Sequence, residues 1–456
     1  MTSSPHPRPL NLHVDIVGRI PNLKIYTQIT FCYSLPDHIL RSSIISTLTN
    51  GLERMSKVLP WTAGQVVDDN DGGKTASPRI IGFRCIPRLD VKDISKDSSI
   101  TMDGLRRGHF PFTMLDETLI APIRTIPTQS GKTLPQWPVF VAQATFIRGG
   151  LLLTFLGHHQ TMDGIGQSQV ISLFSKACRG IPFTESDITD GNLPRQNIVP
   201  FLDESYEPGP ELAQQLKTTE SSGSDGTEPP PPSTWVYFSF SHTSLASLKA
   251  IATDGLPQST PFVSTDDALA AFIYQSIARA RSYRLDPDTP SQLARAADVR
   301  KALGVPSTYC GMLQIMTYHM HTIQDLTTRP LGSIAADLRA ALSLSDLAYR
   351  TRALVTYLNR YPTESHNVSF TAQMDLSKDL MLSSWANQNS YDLDFGLGLG
   401  KPEAVRRPRF SPFESLGYFM PRDKEGGIAV GICLREQDLA TLRADEEFMK
   451  FCEFLG

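Results

Sequence analysis

The chain has 456 residues, with 43 Lys and Arg against 47 Asp and Glu, a formal net charge of −4. That slight acidic excess excludes a nucleic-acid coat, because neutralising phosphates takes a basic surplus. With 40% hydrophobic and 20% charged residues, disordered and fibrous classes are excluded, and length alone suggests about two or three globular domains.

In chain order, the first residues lack the apolar core of a signal peptide. The spacing of Ile39, Ile44, Ile45, Leu48, Leu52 and Met55 predicts an amphipathic helix over 38–58. Residues 138–146 and 151–156 read as two strands joined by a turn at Arg148-Gly149-Gly150. The apolar run 151–156 is far shorter than a membrane span. A helix over 164–178 follows. Residues 194–210 are proline-rich and non-periodic, and 217–233, KTTESSGSDGTEPPPPS, holds no large apolar residue. It reads as a linker. The predicted division is 1–200, a crossover segment 201–233, and 234–456. In the second part, 264–281 reads as a helix capped by Ser264 or Thr265, with Asp266 and Asp267 at its positive end. Strands are predicted over 235–241, 313–322, 365–373 and 427–434. The fold class is mixed α/β, in two parts of similar size. Six scattered cysteines without CxxC spacing exclude a zinc ribbon and fit free thiols in a reducing compartment, so a cytoplasmic protein is expected.

The chemistry concentrates in Gly157-His158-His159-Gln160-Thr161-Met162-Asp163-Gly164. A strand delivers a histidine pair into a loop, an Asp follows His159 by four positions, and a Gly opens the next helix. With ten His in the chain, HxxxDG is expected only about 0.04 times by chance. Imidazole titrates near neutrality, so it can take a proton from a hydroxyl or amine and return it. His159 and Asp163 are the candidate catalytic residues.

At this point the sequence resembles the CoA-dependent acyltransferases of the BAHD type, which share HHxxxDG with the condensation domains of peptide synthetases. Residues Tyr391-Asp392-Leu393-Asp394-Phe395-Gly396-Leu397-Gly398 resemble the BAHD DFGWG segment, with Leu397 where Trp is usual. Leu59-Pro60-Trp61-Thr62-Ala63-Gly64 resembles PLAG, Ser383-Ser384-Trp385 a TSW-like triplet, and Tyr309-Cys310-Gly311-Met312 a YxGN with Met for Asn. Within the family, the stretch from Phe110 to Pro122 and that from Gly396 to Pro408 are most similar to fungal trichothecene 3-O-acetyltransferase-like enzymes. The landmarks cover nearly the whole chain.

The resemblance implies a chloramphenicol acetyltransferase-like fold of two similar domains, with the active site in a channel between them. It implies acyl-CoA as co-substrate, no tightly bound cofactor, no metal, a small-molecule acceptor and a monomer. His159 would deprotonate the acceptor hydroxyl, which attacks the thioester carbonyl in a ternary complex. Asp163 would turn away from substrate and pair with an arginine, for which Arg300 is the candidate. Ser383 and Trp385 would line the channel and offer a donor to the oxyanion. The phosphates of CoA call for a local basic mouth, with Ser264, Arg300, Lys301, Arg406 and Arg407 as candidates. The DFGLG segment is expected to be structural.

Other readings are weaker. Asp394-Phe395-Gly396 spells the kinase DFG, but there is no HRD loop, glycine-rich loop or VAIK-like lysine. His319 and His321 share a strand face without acidic or Cys partners at ligand spacing. The favoured activity is acetyl transfer from acetyl-CoA to a hydroxyl of a fungal terpenoid, polyketide or alkaloid. The alternatives are N-acetylation of an indole or alkaloid amine, and a carrier-protein-dependent condensation domain.

Overall fold

The computed structural model describes residues 10–68, 77–97, 99–127, 136–217 and 231–456. The predicted linker at 217–233 therefore falls almost wholly outside the described residues. Two large sheets organise the chain. The first has five strands in the order Ala404–Arg406, Tyr26–Ser34, Gly150–His158, Phe140–Ile147 and Arg88–Asp93. Neighbours are antiparallel except the last pair. In the three central strands every residue but Ser34 is buried, so both faces of the sheet are covered.

One face carries the helix Gly164–Cys178, whose Phe174 meets Phe155 of the sheet edge-on at 5.6 Å. Behind it lies the helix Arg41–Val58. The two helices pack so closely that a Cβ on Gly51 would fall 2.4 Å from Cys178 Sγ. Both helices match the sequence expectation, the first at the same boundaries and the second three residues shorter at its start.

The second sheet has seven strands in the order Gln314–Thr322, Pro290–Asp298, Leu380–Ser384, Leu416–Phe419, Ile428–Arg435, Ser233–Phe240 and Glu453–Phe454. Leu380–Ser384 runs parallel to both neighbours and the other pairs are antiparallel. The helix Thr265–Arg281 shares a core with this sheet. Ser264 caps it in a capping box, its hydroxyl accepting from the Asp267 N–H while the Asp267 carboxylate accepts from the Ser264 N–H.

Several elements, among them the strand Pro290–Asp298 and the helix Leu344–Arg360, were not predicted, and two departures show why. The strand Tyr26–Ser34 was not predicted, because Thr27, Gln28 and Thr30 break the apolar pattern. They are nevertheless buried, and Thr30 meets Thr154 across the sheet in a 2.8 Å hydrogen bond. The strand predicted at 365–373 is instead a short 3-10 helix, Pro362–Asn367, followed by turns. There the Thr371 N–H donates to the Ser369 hydroxyl at 3.1 Å. Such local side-chain bonds compete with a ladder, and only Val368 forms a bridge, to Leu216.

The second part of the chain does not keep to its own sheet. Ala404–Arg406 adds to the edge of the first sheet beside Tyr26–Ser34. The approach to that strand bends at Gly396, Gly398 and Gly400, whose φ values of 66°, 74° and 68° lie in the left-handed region. Just before those turns, Phe395 packs against Phe31, Phe155 and Phe174, and Leu397, between the first two, is buried in the same core. The DFGLG segment thus ties the two parts together.

Candidate active site

The strand Gly150–His158 ends where chain geometry becomes tight. Gly157 has no room for a side chain, since a Cβ would fall 2.8 Å from Met162 Sδ. His158, the first of the pair, points into the fold and is fully buried between Tyr26 and Trp137, at ring distances of 5.3 and 5.5 Å. Burial, with Lys24 and His159 nearby, lowers its pKa to about 3, so it stays neutral. It is a packed histidine.

His159 points the other way. Its backbone N–H donates to Ile25 O at 2.9 Å, and its ring Nδ1 lies 3.0 Å from Met162 O. A carbonyl can only accept, so Nδ1 carries the proton and Nε2 the lone pair. Nε2 has no partner among the described residues. Burial lowers the imidazole pKa below its ordinary value; the Met162 bond and Asp163 oppose this, and Arg407 adds to it. The ring is therefore neutral and basic at neutral pH.

Asp163 shapes the loop rather than the chemistry. It is the N-cap of Gly164–Cys178, its Oδ1 accepting from the Gly166 N–H at 2.7 Å. Oδ2 accepts from the Leu313 N–H at 2.8 Å. Arg300 grips both oxygens, at 2.9 and 3.0 Å, as the sequence reading expected. Both residues are 1% exposed. Gly166 lets the helix start press against the 309–312 loop, for a Cβ there would lie 2.5 Å from Cys310 O.

A second buried pair, which the sequence reading missed, braces the same loops. Asp15 accepts from Arg195 Nη1 at 2.8 Å, from the Met312 N–H at 2.8 Å and from the Tyr309 hydroxyl. Arg195 also donates to Thr161 O at 2.7 Å, inside the histidine loop. Burial raises the Asp15 pKa against the pull of Arg195. Asp15 lies 180 to 297 residues from these partners, and Arg195 lies 34 from Thr161, so no local pattern in the sequence announces them.

His159 opens onto a cavity of about 520 Å³ between the two parts of the chain. Its wall includes Thr125, His159 and Gly164 from the first part and Ser383, Trp385 and Arg407 from the second. The volume suits a small organic ligand. Ser383 and Trp385 line this cavity, and neither Ser383 Oγ nor Trp385 Nε1 is hydrogen-bonded among the described residues. A smaller cavity of about 280 Å³ shares Phe410 with the first and is lined by Arg124 and Arg409.

The basic mouth expected for phosphates needs correction. Arg300 has no donor left: Nε goes to Tyr309 O, Nη1 to Asp163 and Asp298, and Nη2 to Asp163 and Gly311 O. Arg406 is also spent, on Phe110 O, Val405 O, His109 O and the Tyr391 hydroxyl. The Ser264 hydroxyl is engaged in its capping box. Arg407 is buried in the cavity wall rather than at a surface. Of the five candidates, Lys301 alone presents an exposed cation. His319 and His321 are buried; His319 Nε2 meets Thr317 Oγ1 at 3.1 Å and His321 Nδ1 meets Arg329 at 3.2 Å. Among the described residues no cluster of three or more His, Cys, Asp or Glu could hold a metal ion, and no helix is long and apolar enough to cross a membrane.

Comparison with known proteins agrees with this geometry. Residues 25–178 match the trichothecene 3-O-acetyltransferase-like N-terminal domain, and residues 122–449 match the transferase family. The chain is 48% identical to the O-acetyltransferase dmxR13 of Cryptosporiopsis sp., covering 98% of each. It is 46% identical to the trichothecene 3-O-acetyltransferase TRI101 of Fusarium sporotrichioides, covering 100% of this chain and 99% of that one. The fold superposes with a TM-score of 0.93 and 44% identity on the crystal structure of F. graminearum TRI101 complexed with coenzyme A and deoxynivalenol, covering 98% of this chain and 100% of that one. An acyltransferase fold with its cavity between two halves, a strand-end HHxxxDG and full-length relatives of this kind lead to one conclusion: the chain belongs to the transferase family, in its trichothecene 3-O-acetyltransferase-like group, and is an acyltransferase.

Proposed function

We propose that the chain transfers an acetyl group from acetyl-CoA to a hydroxyl of a fungal secondary metabolite, with His159 as general base. The observation that carries this is the orientation of His159: Nδ1–H is tied to Met162 O, and the lone pair of Nε2 is left for the cavity. The acceptor hydroxyl gives its proton to Nε2 as its oxygen attacks the thioester carbon. The tetrahedral intermediate then collapses, the C–S bond breaks, and CoA takes the proton as it leaves as a thiol. Holding base, donor and acceptor in one chamber converts a three-body encounter into a local reaction. Asp163 and Arg300 act at one remove, by fixing the loop that bears the base.

The reading takes the chain to divide at 201–233 and to work as a cytoplasmic monomer; free thiols at all six cysteines are in keeping with a reducing compartment. The largely apolar wall, with Phe410, Phe413, Leu416 and Met316, suits a hydrophobic ring system carrying a hydroxyl. The test is a panel of hydroxylated terpenoids, polyketides and alkaloids, deoxynivalenol among them, incubated with acetyl-CoA and read by mass. A gain of one acetyl group, lost again in mild alkali, is the expected result. A product that resists alkali is an amide and would overturn O-acetylation.

A further inference from the structure

Arg407 has no part in the steps above. It lies in the cavity wall with His159 and is 2% exposed. Its guanidinium makes no hydrogen bond or ion pair among the described residues, and its Nε is buried without a partner. Only the backbone is held, the Arg407 N–H donating to the Tyr237 hydroxyl at 2.9 Å. Aromatic rings surround the cation, with Phe410 and Tyr418 each at 4.6 Å and Trp385 at 5.7 Å. Ring faces compensate a buried charge only in part. The neighbouring Arg406 and the loop-anchoring Arg300, by contrast, spend their donors on protein oxygens.

A full positive charge is thus kept in a mostly apolar chamber with no protein anion in contact with it; the carboxylate within electrostatic reach, buried Glu117, spends Oε2 on Gln28 and the Thr125 N–H. A negative partner that comes and goes accounts for this arrangement. The CoA phosphates are an unsuitable partner, since they need water and a surface. A hydroxylated acceptor brings a dipole rather than a charge. The tetrahedral intermediate brings a full negative charge to the chamber that His159 faces. We propose that Arg407 is a catalytic residue whose guanidinium receives the oxyanion of that intermediate. The proposal rests on the acetyl-CoA reading. As the acceptor oxygen bonds to the carbonyl carbon, the C=O π pair moves onto the carbonyl oxygen and the hydroxyl proton moves to His159 Nε2. On collapse the pair returns, the C–S bond breaks, and His159 returns its proton to the leaving sulfur. Donors set in place before charge develops act where they are worth most. Ser383 and Trp385, with their unspent donors on the same wall, complete the oxyanion's surroundings.

The arrangement also couples the two charges. The groups facing His159 are neutral His158, Asp163 neutralised by Arg300, Lys24 paired with Asp68, and Arg407. Before reaction, Arg407 helps to keep the imidazole neutral. When the oxyanion forms, it offsets that field as the proton arrives on His159.

The test compares Arg407→Gln and Arg407→Lys with the wild type, following thiol release from acetyl-CoA with and without deoxynivalenol. Arg407→Gln is expected to lower kcat about 10²–10³-fold, the usual cost of a lost oxyanion donor, with both KM values within about threefold of wild type. The acid limb of its kcat/KM profile should move to higher pH, whereas Arg407→Lys keeps the charge, the limb and part of the rate. Thermal melting of each variant, with Arg407→Lys keeping the charge beside Glu117, separates inactivity through misfolding from loss of the oxyanion contact. A kcat within about threefold of wild type would overturn the proposal. So would a KM for acetyl-CoA or deoxynivalenol raised about tenfold at unchanged kcat, which marks a binding role. If the wild type itself releases no thiol from acetyl-CoA, the acetyl-CoA reading fails, and this proposal with it.

Discussion

Arg300→Met asks whether one buried ion pair holds the loop that carries His159. Arg300 and Asp163 are each 1% exposed, joined by two bonds of 2.9 and 3.0 Å. Methionine keeps the bulk of the side chain but leaves the Asp163 carboxylate buried with only the Gly166 and Leu313 N–H donors. At about 4 Å between charge centres and an effective dielectric constant of about 20, the lost attraction is about 4 kcal/mol. Mutational experience with one-sided removal of buried pairs gives about 3–5 kcal/mol, in agreement. Arg300→Met should therefore cost about 3–5 kcal/mol in chemical denaturation at neutral pH. Asp163→Asn should also destabilise, because the Gly166 and Leu313 N–H groups bind different carboxylate oxygens and the one amide oxygen can serve a single one of them, while Arg300 keeps Asp298 as a counter-charge. The double variant has no orphaned carboxylate, so it should recover at least about 1 kcal/mol relative to the sum of the singles. A loss under about 1 kcal/mol for Arg300→Met, or strict additivity, would refute the anchoring role. An unchanged stability with a raised KM for acetyl-CoA would return Arg300 to the phosphates of CoA.

Two further expectations follow from the same region. Gly166→Ala places a Cβ 2.5 Å from Cys310 O, a backbone atom that cannot swing aside. It should cost about 1–3 kcal/mol of stability and lower turnover, as the histidine loop is pushed from the 309–312 loop; wild-type stability and rate would contradict the close approach. His158 has a folded pKa of about 3 against an ordinary 6.5. The unfolded chain therefore binds this proton first as pH falls, and stability is lost progressively below about pH 6.5. Between pH 7 and pH 5 the loss from this group is about 2 kcal/mol, so His158→Gln should be less acid-sensitive than wild type by that amount. Equal acid sensitivity in denaturation series would show that His158 is not held neutral.

What could be read from the sequence was local. The histidine loop, the helix Gly164–Cys178 and the turn before the strand Gly150–His158 lie within about thirty residues, and their spacing alone marks them. The Asp163–Arg300 pair spans 137 residues and was reached through family resemblance rather than spacing. Asp15 and Arg195 went unseen because their partners are brought in only by the folded chain. Arg406 and Arg407 were both candidates for the basic mouth, and Arg409 follows Pro408. In the structure the three part company: Arg406 turns to backbone carbonyls, Arg407 enters the cavity wall, and Arg409 pairs with Asp116. Sequence shows the charge of such a run but not which side of a strand end each residue faces. The unpredicted strand Tyr26–Ser34 makes the same point for the core, since Thr30 and the Gln28 side-chain NH2 find their partners only far away in the chain.

The base assignment stands or falls on His159→Ala, assayed by single-turnover acetyl transfer with both substrates saturating. Loss of a general base should lower the rate about 10²-fold or more, while affinity for CoA, measured by calorimetry, stays within about twofold because the ring binds no part of CoA in the reading above. A rate near that of the wild type, with the variant folded and CoA bound, would contradict the account.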